Sequence, residues 1–168
     1  MIEITDQVIA DKESISQGDK LVGQIEKELY IDVNLLHQTG VQGFFTEALD
    51  QFVLTCKYQQ SGGSMPTTTG MMRGRVEGEW LTEIVTMWVV SQQPGEYNPL
   101  HAHSYCQIST VMYLKVPKML PSRKKGSTGG GDDGCIHFTS NCSRDLNLSV
   151  PGIIIPPQVG DFYIFGAE

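Results

Sequence analysis

Beyond residue 80 the chain is a succession of short segments rich in β-branched and aromatic residues, separated by Pro and Gly. Such segments favour strands, and Pro and Gly favour the turns between them. The predicted strands are residues 80–90, 107–116, 135–140, 152–155 and 161–165, with turns at 94–95 and 156–160. Short strands in this number predict an antiparallel barrel or sandwich, with any helices packed outside it.

The clearest helical pattern precedes these strands. Six apolar residues recur at the spacing of one helical face, and they are Val41, Phe44, Phe45, Ala48, Leu49 and Phe52. Thr39, with Gln42 three residues later, fits a capping box at the start of this helix. We predict that the helix covers one face of a sheet. A cluster of Ser, Gly and Pro at residues 61–67 then predicts a flexible connection.

Composition indicates a globular protein, and the net charge disfavours two kinds of partner. Of the 168 residues, 40% are hydrophobic and 18% are charged, which is a globular composition. The net charge of −7 disfavours a nucleic acid or an anionic membrane as the main partner, because phosphate binding needs clustered Lys and Arg. The basic cluster at residues 123–125 is expected to be a solvated loop tip.

The sequence also predicts a cytoplasmic protein. No apolar run approaches the length of about 18 residues that crosses a bilayer, and the first residues lack the basic and apolar blocks of a signal peptide. In that compartment cysteines are expected as reduced thiols. The four cysteines are Cys56, Cys106, Cys135 and Cys142.

Two of the four histidines, His101 and His103, are separated by one residue. In an extended chain, side chains two positions apart point to the same face, so both imidazoles can reach one metal ion. Imidazole suits Fe, Zn, Cu and Ni, and the spacing alone does not choose among them. The alternative is a pair of surface histidines at the end of a strand.

Tyr113 and Lys115 lie on one face of the predicted strand at residues 107–116. Facing inward, they could bind the carboxylate of a small acid, Lys115 as a point charge and Tyr113 through a hydrogen bond. In the alternative, Tyr113 packs in the core and the Lys115 side chain extends to water. The residues alone leave both interpretations open.

Four segments follow one another in a characteristic order. A strand with Trp leads into G-x-x-N-x-x-H-x-H, and then come S-x-x-x-Y-L-K-x-P, a glycine-bounded strand and P-x-x-G-D-x-x-x-F. These segments are residues 88–103, 108–117, 134–138 and 157–165. In this order the chain resembles the 2-oxoglutarate-Fe(II) oxygenase family of tailed phages, cyanophages especially, and of marine bacteria. Residues 21–28 also resemble the N-terminal segment of that family.

This resemblance implies a fold that is mainly β with N-terminal helices, namely a double-stranded β-helix, the jelly roll that cupins also have. We expect residues 1–168 to form a single domain, with 1–60 as a helical support region and 71–168 as an incomplete jelly-roll core. The implied function is that of an Fe(II)- and 2-oxoglutarate-dependent dioxygenase, a hydroxylase of unknown substrate. His101 and His103 would hold Fe(II). Tyr113 and Lys115 would bind the co-substrate 2-oxoglutarate, and O₂ would be the other small-molecule partner.

Two segments of the family pattern have no counterpart up to Glu168. One is F-P-x-x-L-x-H, which carries the distal histidine, and the other is an R-x-S strand that binds 2-oxoglutarate. We therefore expect the third ligand and this Arg beyond residue 168, with the jelly roll truncated at its C-terminus. His103 stands where the wider superfamily has an acid, so the resemblance implies a three-histidine site, in which Glu96 is a poorer candidate for a ligand. His137 is expected to be a neutral strand histidine.

Two other functions fit the same residues. A cupin-type metal-binding protein would explain Gly95 followed after five residues by H-x-H, although Gln107 stands where that motif has Glu. A catalytically inactive jelly-roll phage interaction module would retain the fold without the chemistry. If the protein is phage-encoded, its expected location is the cytoplasm of the host.

Overall fold

The computed structural model describes residues 1–60, 81–118, 134–139 and 152–167. They form two compact units, an N-terminal unit (Met1–Gln107) and a C-terminal unit (Ile108–Ala167). The elements of the N-terminal unit are α1 (Ile2–Ala10), β1 (Glu28–Tyr30), α2 (Val33–Gln38), α3 (Val41–Gln60) and β2 (Trp88–Val90), with a 3₁₀ turn at Gly18–Lys20. The elements of the C-terminal unit are β3 (Ile108–Met112), β4 (Ile136–Thr139), β5 (Gly152–Ile155) and β6 (Phe162–Gly166). The fold therefore mixes helices with small antiparallel sheets.

The core of the N-terminal unit lies between its helices and β2. Ile4 of α1, Ile31 after β1 and Leu36 of α2 are buried together. Asp32 caps α2, because its side chain accepts a hydrogen bond from the Asn34 N–H at 2.9 Å. Partly buried apolar residues pack around this core, namely Met1, Val8, Leu35, Val41, Ile84, Met87 and Val89.

The long helix α3 begins at Val41, as predicted, but Thr39 does not cap it. Thr39 is the C-cap of α2, and its hydroxyl donates to the carbonyl of Leu35 at 2.8 Å. A capping-box pattern thus falls on the end of the preceding helix. Among the described elements, α2 is the main packing partner of α3, which differs from the sheet that the sequence predicted. On its apolar face Phe45 is buried, whereas Phe44 is 51% exposed.

The β1 strand has a hydrogen-bonded neighbour on each side. On one side it pairs antiparallel with β2, with Glu28 opposite Val90. On the other side, the Gln17 N–H donates to the Glu28 carbonyl at 2.7 Å. The segments that flank β1 and β2 also lie side by side, since the Gln24 N–H donates to the Tyr97 carbonyl at 2.9 Å. Residues 24–28 therefore run beside the segment that leads to the two histidines.

The predicted strand at residues 80–90 is mostly wrong. Only Trp88–Val90 is a strand, residues 81–87 have no strand pairing, and residue 80 lies outside the described residues. Ile84 and Met87 instead pack against the helical core, while Leu81 is 91% exposed. β-branched residues favour a strand where a neighbouring strand covers them. In this segment Ile84 packs against a helical core instead.

In its described residues, the C-terminal unit contains two nested antiparallel pairs. β3 pairs with β6, with Ile108 opposite Gly166, and the intervening β4 pairs with β5. All four lie within or next to predicted strands, although β3 is shorter than residues 107–116. The predicted turn at residues 156–160 precedes β6 and contains Gly160 at φ +94°. The Asp161 side chain holds this turn by accepting from the Gln158 N–H at 2.8 Å.

Some sequence predictions lie outside the described residues, including the connection at 61–67, the basic cluster at 123–125 and Cys142. Cys56, Cys106 and Cys135 are free thiols in the part that is described. No helix in the described ranges combines the length and the apolar character that crossing a membrane requires.

Candidate metal site

A turn at Gly95, stabilised by the Glu96 side chain, precedes the histidine pair. Gly95 has φ +94°, a conformation that residues with a Cβ rarely adopt. The Glu96 side chain spans the turn and the neighbouring segment, with one oxygen accepting from the Gln93 N–H at 2.6 Å and the other from the Glu26 N–H at 2.9 Å. These hydrogen bonds lower the pKa of Glu96. Because both of its oxygens accept hydrogen bonds from backbone N–H groups, Glu96 stabilises the turn and its contact with the neighbouring segment.

The imidazoles of His101 and His103 lie side by side. Their ring centroids are 4.9 Å apart and the ring planes are inclined by 58°. Metal–nitrogen bonds of about 2.0–2.1 Å place two ligating nitrogens within roughly 4 Å of each other, and adjacent rings at this separation suit that requirement. The structure therefore brings these two predicted ligands together.

His101 is oriented by the backbone before it. Its Nδ1 atom lies 2.7 Å from the carbonyl oxygen of Pro99. A carbonyl only accepts hydrogen bonds, so the neutral ring carries its proton on Nδ1 and leaves the Nε2 lone pair available. Metal-binding histidines commonly have this arrangement, in which the second nitrogen donates to a carbonyl or carboxylate.

His103 is half-buried, and its pKa is lowered, first by burial and then by the charge of His101. The lowered pKa favours the neutral imidazole, which is the form that coordinates a metal. One ring of the pair is thus solvent-exposed and oriented, and the other is partly desolvated.

Glu28 adds a buried carboxyl group to this neighbourhood. The residue is 1% exposed, and its Oε2 atom is buried without a hydrogen-bond partner. Burial raises the pKa of Glu28, the charge of Glu96 raises it further, and the charge of His101 lowers it. Sequence reasoning missed this residue because Glu is normally solvent-exposed, and its burial arises only from the fold.

The space around the Glu28 carboxyl is closely fitted. A Cβ atom built on Gly23 would overlap the Asn98 Oδ1 atom and would lie 3.0 Å from Glu28 Oε1. Gly23 therefore leaves a cradle that the Asn98 amide and one carboxylate oxygen occupy. Asn98 belongs to the G-x-x-N-x-x-H-x-H segment, which ties the cradle to the histidine pair.

These groups fit a divalent cation. Two adjacent imidazoles offer nitrogen donors, and a buried carboxyl with an unused oxygen offers negative charge. Within the described ranges, no three His, Cys, Asp or Glu side chains gather closely enough to hold one ion by themselves. The site thus contains two candidate ligands and a nearby acid.

Tyr113 and Lys115, the predicted carboxylate-binding residues, lie just after β3 in the C-terminal unit. Tyr113 is half-buried, makes an edge contact with the Tyr163 ring at 6.2 Å and pairs through its backbone with Asp161. Burial, followed by the charges of Cys135 and Asp161, raises the pKa of Tyr113. Lys115 is exposed.

The other two histidines are away from these groups in the sequence and are exposed. His37 lies in the last turn of α2, and His137 lies opposite Ile154 in the β4–β5 pair. Both serve as reference positions for histidine substitutions.

One comparison with known proteins gives a match. A family model described as "Putative 2OG-Fe(II) oxygenase" matches residues 86–168. The matched segment contains His101, His103, Tyr113 and Lys115, and Glu28 lies outside it. No curated protein and no solved structure matches the chain.

Proposed function

We propose that this protein is an Fe(II)- and 2-oxoglutarate-dependent dioxygenase in which His101 and His103 hold the metal. The observation that carries the proposal is the pair of adjacent imidazoles, one with its tautomer set by Pro99, inside the segment that matches the oxygenase family model. In this proposal His101 binds through Nε2, because its Nδ1 atom is engaged by the backbone.

The strand order supports a jelly roll as the fold of this enzyme. In a jelly roll an antiparallel chain is folded back on itself, so that outer strands pair with each other and inner strands pair with each other. The β3–β6 and β4–β5 pairs have this nested order. We extend the proposal to a single jelly-roll domain with a helical N-terminal support.

When bound, Fe(II) together with 2-oxoglutarate supplies the oxidation of a C–H bond by O₂, with release of succinate and CO₂. The protein binds and orients the reactants and excludes water. We assign carboxylate contact with 2-oxoglutarate to Tyr113 by a hydrogen bond and to Lys115 by charge. A neutral Tyr113, favoured by its raised pKa, is the form that donates this hydrogen bond.

The test is anaerobic loading with Fe(II), followed by measurement of bound iron and of succinate released after 2-oxoglutarate and O₂ are added. We expect iron binding and succinate release from the wild type. Replacing His101 and His103 together by Ala should remove both, whereas His37→Ala and His137→Ala should retain both. Unchanged iron content in the double variant would contradict the proposal.

The same experiment separates the alternatives. Iron binding that depends on the pair without succinate release would favour a cupin-type metal-binding protein. No iron binding at all would favour a jelly-roll interaction module without metal chemistry.

A further inference from the structure

One oxygen of the Glu28 carboxyl group is buried without a hydrogen-bond partner. The residue is 1% exposed, and the oxygen without a partner is Oε2. Burying an ionisable group without a partner is unfavourable, and proteins normally pair such a group or keep it in water. A positive charge or a hydrogen-bond donor near the Oε2 atom would therefore stabilise this carboxyl group.

The charged groups near Glu28 indicate which kind of partner its carboxyl group lacks. Glu96 is an acid whose oxygens are already bound to two backbone N–H groups, so it adds negative charge and no donor. His101 is the basic group whose charge acts favourably on Glu28. Two neighbouring acids, one of which interacts with the charge of His101, make a region that favours a cation.

The cradle at Gly23 keeps the carboxyl in this position. Any side chain at Gly23 would collide with Asn98 and press on Glu28 Oε1. A Cβ atom at Gly18 would lie 4.0 Å from Glu28 Oε2, which is an ordinary contact distance. The carboxyl is thus closely confined on the Gly23 side, next to the segment that carries the histidines.

We propose that Glu28 is a positioning residue of the metal site, whose buried carboxylate stabilises the divalent cation held by His101 and His103. It acts by charge on His101, whose Nδ1 atom is already engaged by the Pro99 carbonyl, and not as a third ligand, since the described residues contain no set of three ligating side chains. The inference rests on the proposed metal site and adds a residue outside the segment that matches the oxygenase family.

Titration of the full chain with Co²⁺, followed by calorimetry and by visible absorption, tests this role. Glu28→Gln keeps the size of the side chain and removes its charge. We expect about 10-fold weaker Co²⁺ binding, the lower end of the effect of removing an outer carboxylate partner. The absorption spectrum of the bound Co²⁺ should be unchanged, because the ligands stay the same.

The matched control is Glu26→Gln, which removes the same charge from an exposed residue two positions away. It should leave Co²⁺ affinity within about 2-fold of the wild type. Glu28→Asp keeps the charge and should retain most of the affinity. Thermal unfolding of the metal-free variants provides the readout of a purely structural role, and Glu28→Gln should not lower the melting temperature.

A second pair of variants applies if Glu28→Gln does not fold. Gly23→Ala should weaken Co²⁺ binding by displacing Asn98 and Glu28, whereas Gly18→Ala, at ordinary contact distance, should not. Equal weakening by both, or by neither, would overturn the inference.

The outcomes distinguish the two proposals. If the wild type binds no Co²⁺, or binds it equally well without His101 and His103, the metal site itself is refuted. If binding depends on the two histidines and Glu28→Gln binds as tightly as the wild type, only the role of Glu28 is refuted. A changed Co²⁺ spectrum in Glu28→Gln would show Glu28 to be a ligand and would equally overturn the positioning role.

Discussion

The Nδ1 atom of His101 lies 2.7 Å from the carbonyl oxygen of Pro99, two residues earlier in the chain. This short local contact defines which ring nitrogen carries the proton and which one remains available. A histidine free to rotate and exchange tautomers would have to lose that freedom on binding a metal. Here the backbone orients the ring in advance, which lowers the entropy lost on binding.

The tautomer of His101 can be observed directly. In the metal-free protein, at a pH where the imidazole is neutral, we expect His101 to carry its proton on Nδ1. Long-range ¹H–¹⁵N correlation spectra distinguish the two tautomers, and His101→Gln identifies the signals. A dominant Nε2–H form for His101 would contradict the hydrogen bond to Pro99.

Glu28 should make the stability of the protein depend on pH. Because its pKa in the folded state is raised above the unfolded value of 4.5, the folded state binds the proton more tightly. The wild type should therefore lose stability relative to Glu28→Gln as pH rises from below 4.5 through the folded pKa, and the difference should then level off. Denaturant unfolding across this range measures it, and a difference that is constant with pH would refute the prediction.

Leu36 should be among the residues most important for stability in the N-terminal unit. It is 0% exposed and packs with Ile4 and Ile31, so Leu36→Ala leaves a cavity and should cost about 2–5 kcal/mol. The control is Leu81→Ala, since Leu81 is 91% exposed and its replacement should change stability by less than roughly 0.5 kcal/mol. Chemical denaturation measures both, and similar losses would place the core elsewhere.

Tyr163 should titrate unusually late. Its hydroxyl donates to Asp161 at 2.8 Å, and this hydrogen bond, followed by burial and the charges of Asp161 and Tyr113, raises the pKa of Tyr163 to about 12. The stabilisation is present below pH 10, the ordinary tyrosine value, and is lost as pH rises through about 12. Phenolate absorbance should show this transition in the wild type and not in Tyr163→Phe. Asp161→Asn should lower the pKa, and an unchanged value would rule out the hydrogen bond as its cause.

Two glycines should respond oppositely to the same substitution. A Cβ atom at Gly160 or at Gly43 would meet no neighbouring atom, but Gly160 has φ +94° and Gly43 lies inside α3. Gly160→Ala should therefore destabilise by about 1–2 kcal/mol through backbone strain. Gly43→Ala should stabilise by roughly 0.5–1 kcal/mol through helix propensity. Unfolding free energies measure both, and a neutral Gly160→Ala would refute the turn geometry.

The residue pattern predicted local features better than it predicted their surroundings. The periodicity from Val41 located the start of α3, and the short apolar runs located the strands of the C-terminal unit. Thr39 and residues 81–87 were misread because their partners are distant in sequence or belong to another element. A hydroxyl can cap either of two adjacent helix ends, and β-branched residues pack equally well against a helical core.

The candidate site shows the same division. The proximity of the His101 and His103 rings follows from the two-residue period of extended chain and could be predicted from the sequence, whereas their role as metal ligands stays a prediction. Glu28 could not be found in this way, because its burial depends on how the folded chain surrounds it, with Gly23 and Asn98 beside its carboxyl. A charged residue acquires such a role only from neighbours that the chain brings together on folding.

Because the β4–β5 pair lies inside the β3–β6 pair along the chain, the C-terminal unit has a preferred order of assembly. Joining Met112 to Phe162 first would close a loop that contains most of the unit. Joining Ile136 to Ile155 first encloses a much shorter stretch and divides the remaining distance between two connections. The entropy lost on closing a loop grows with its length, so the inner hairpin should form early and the outer strands should join afterwards.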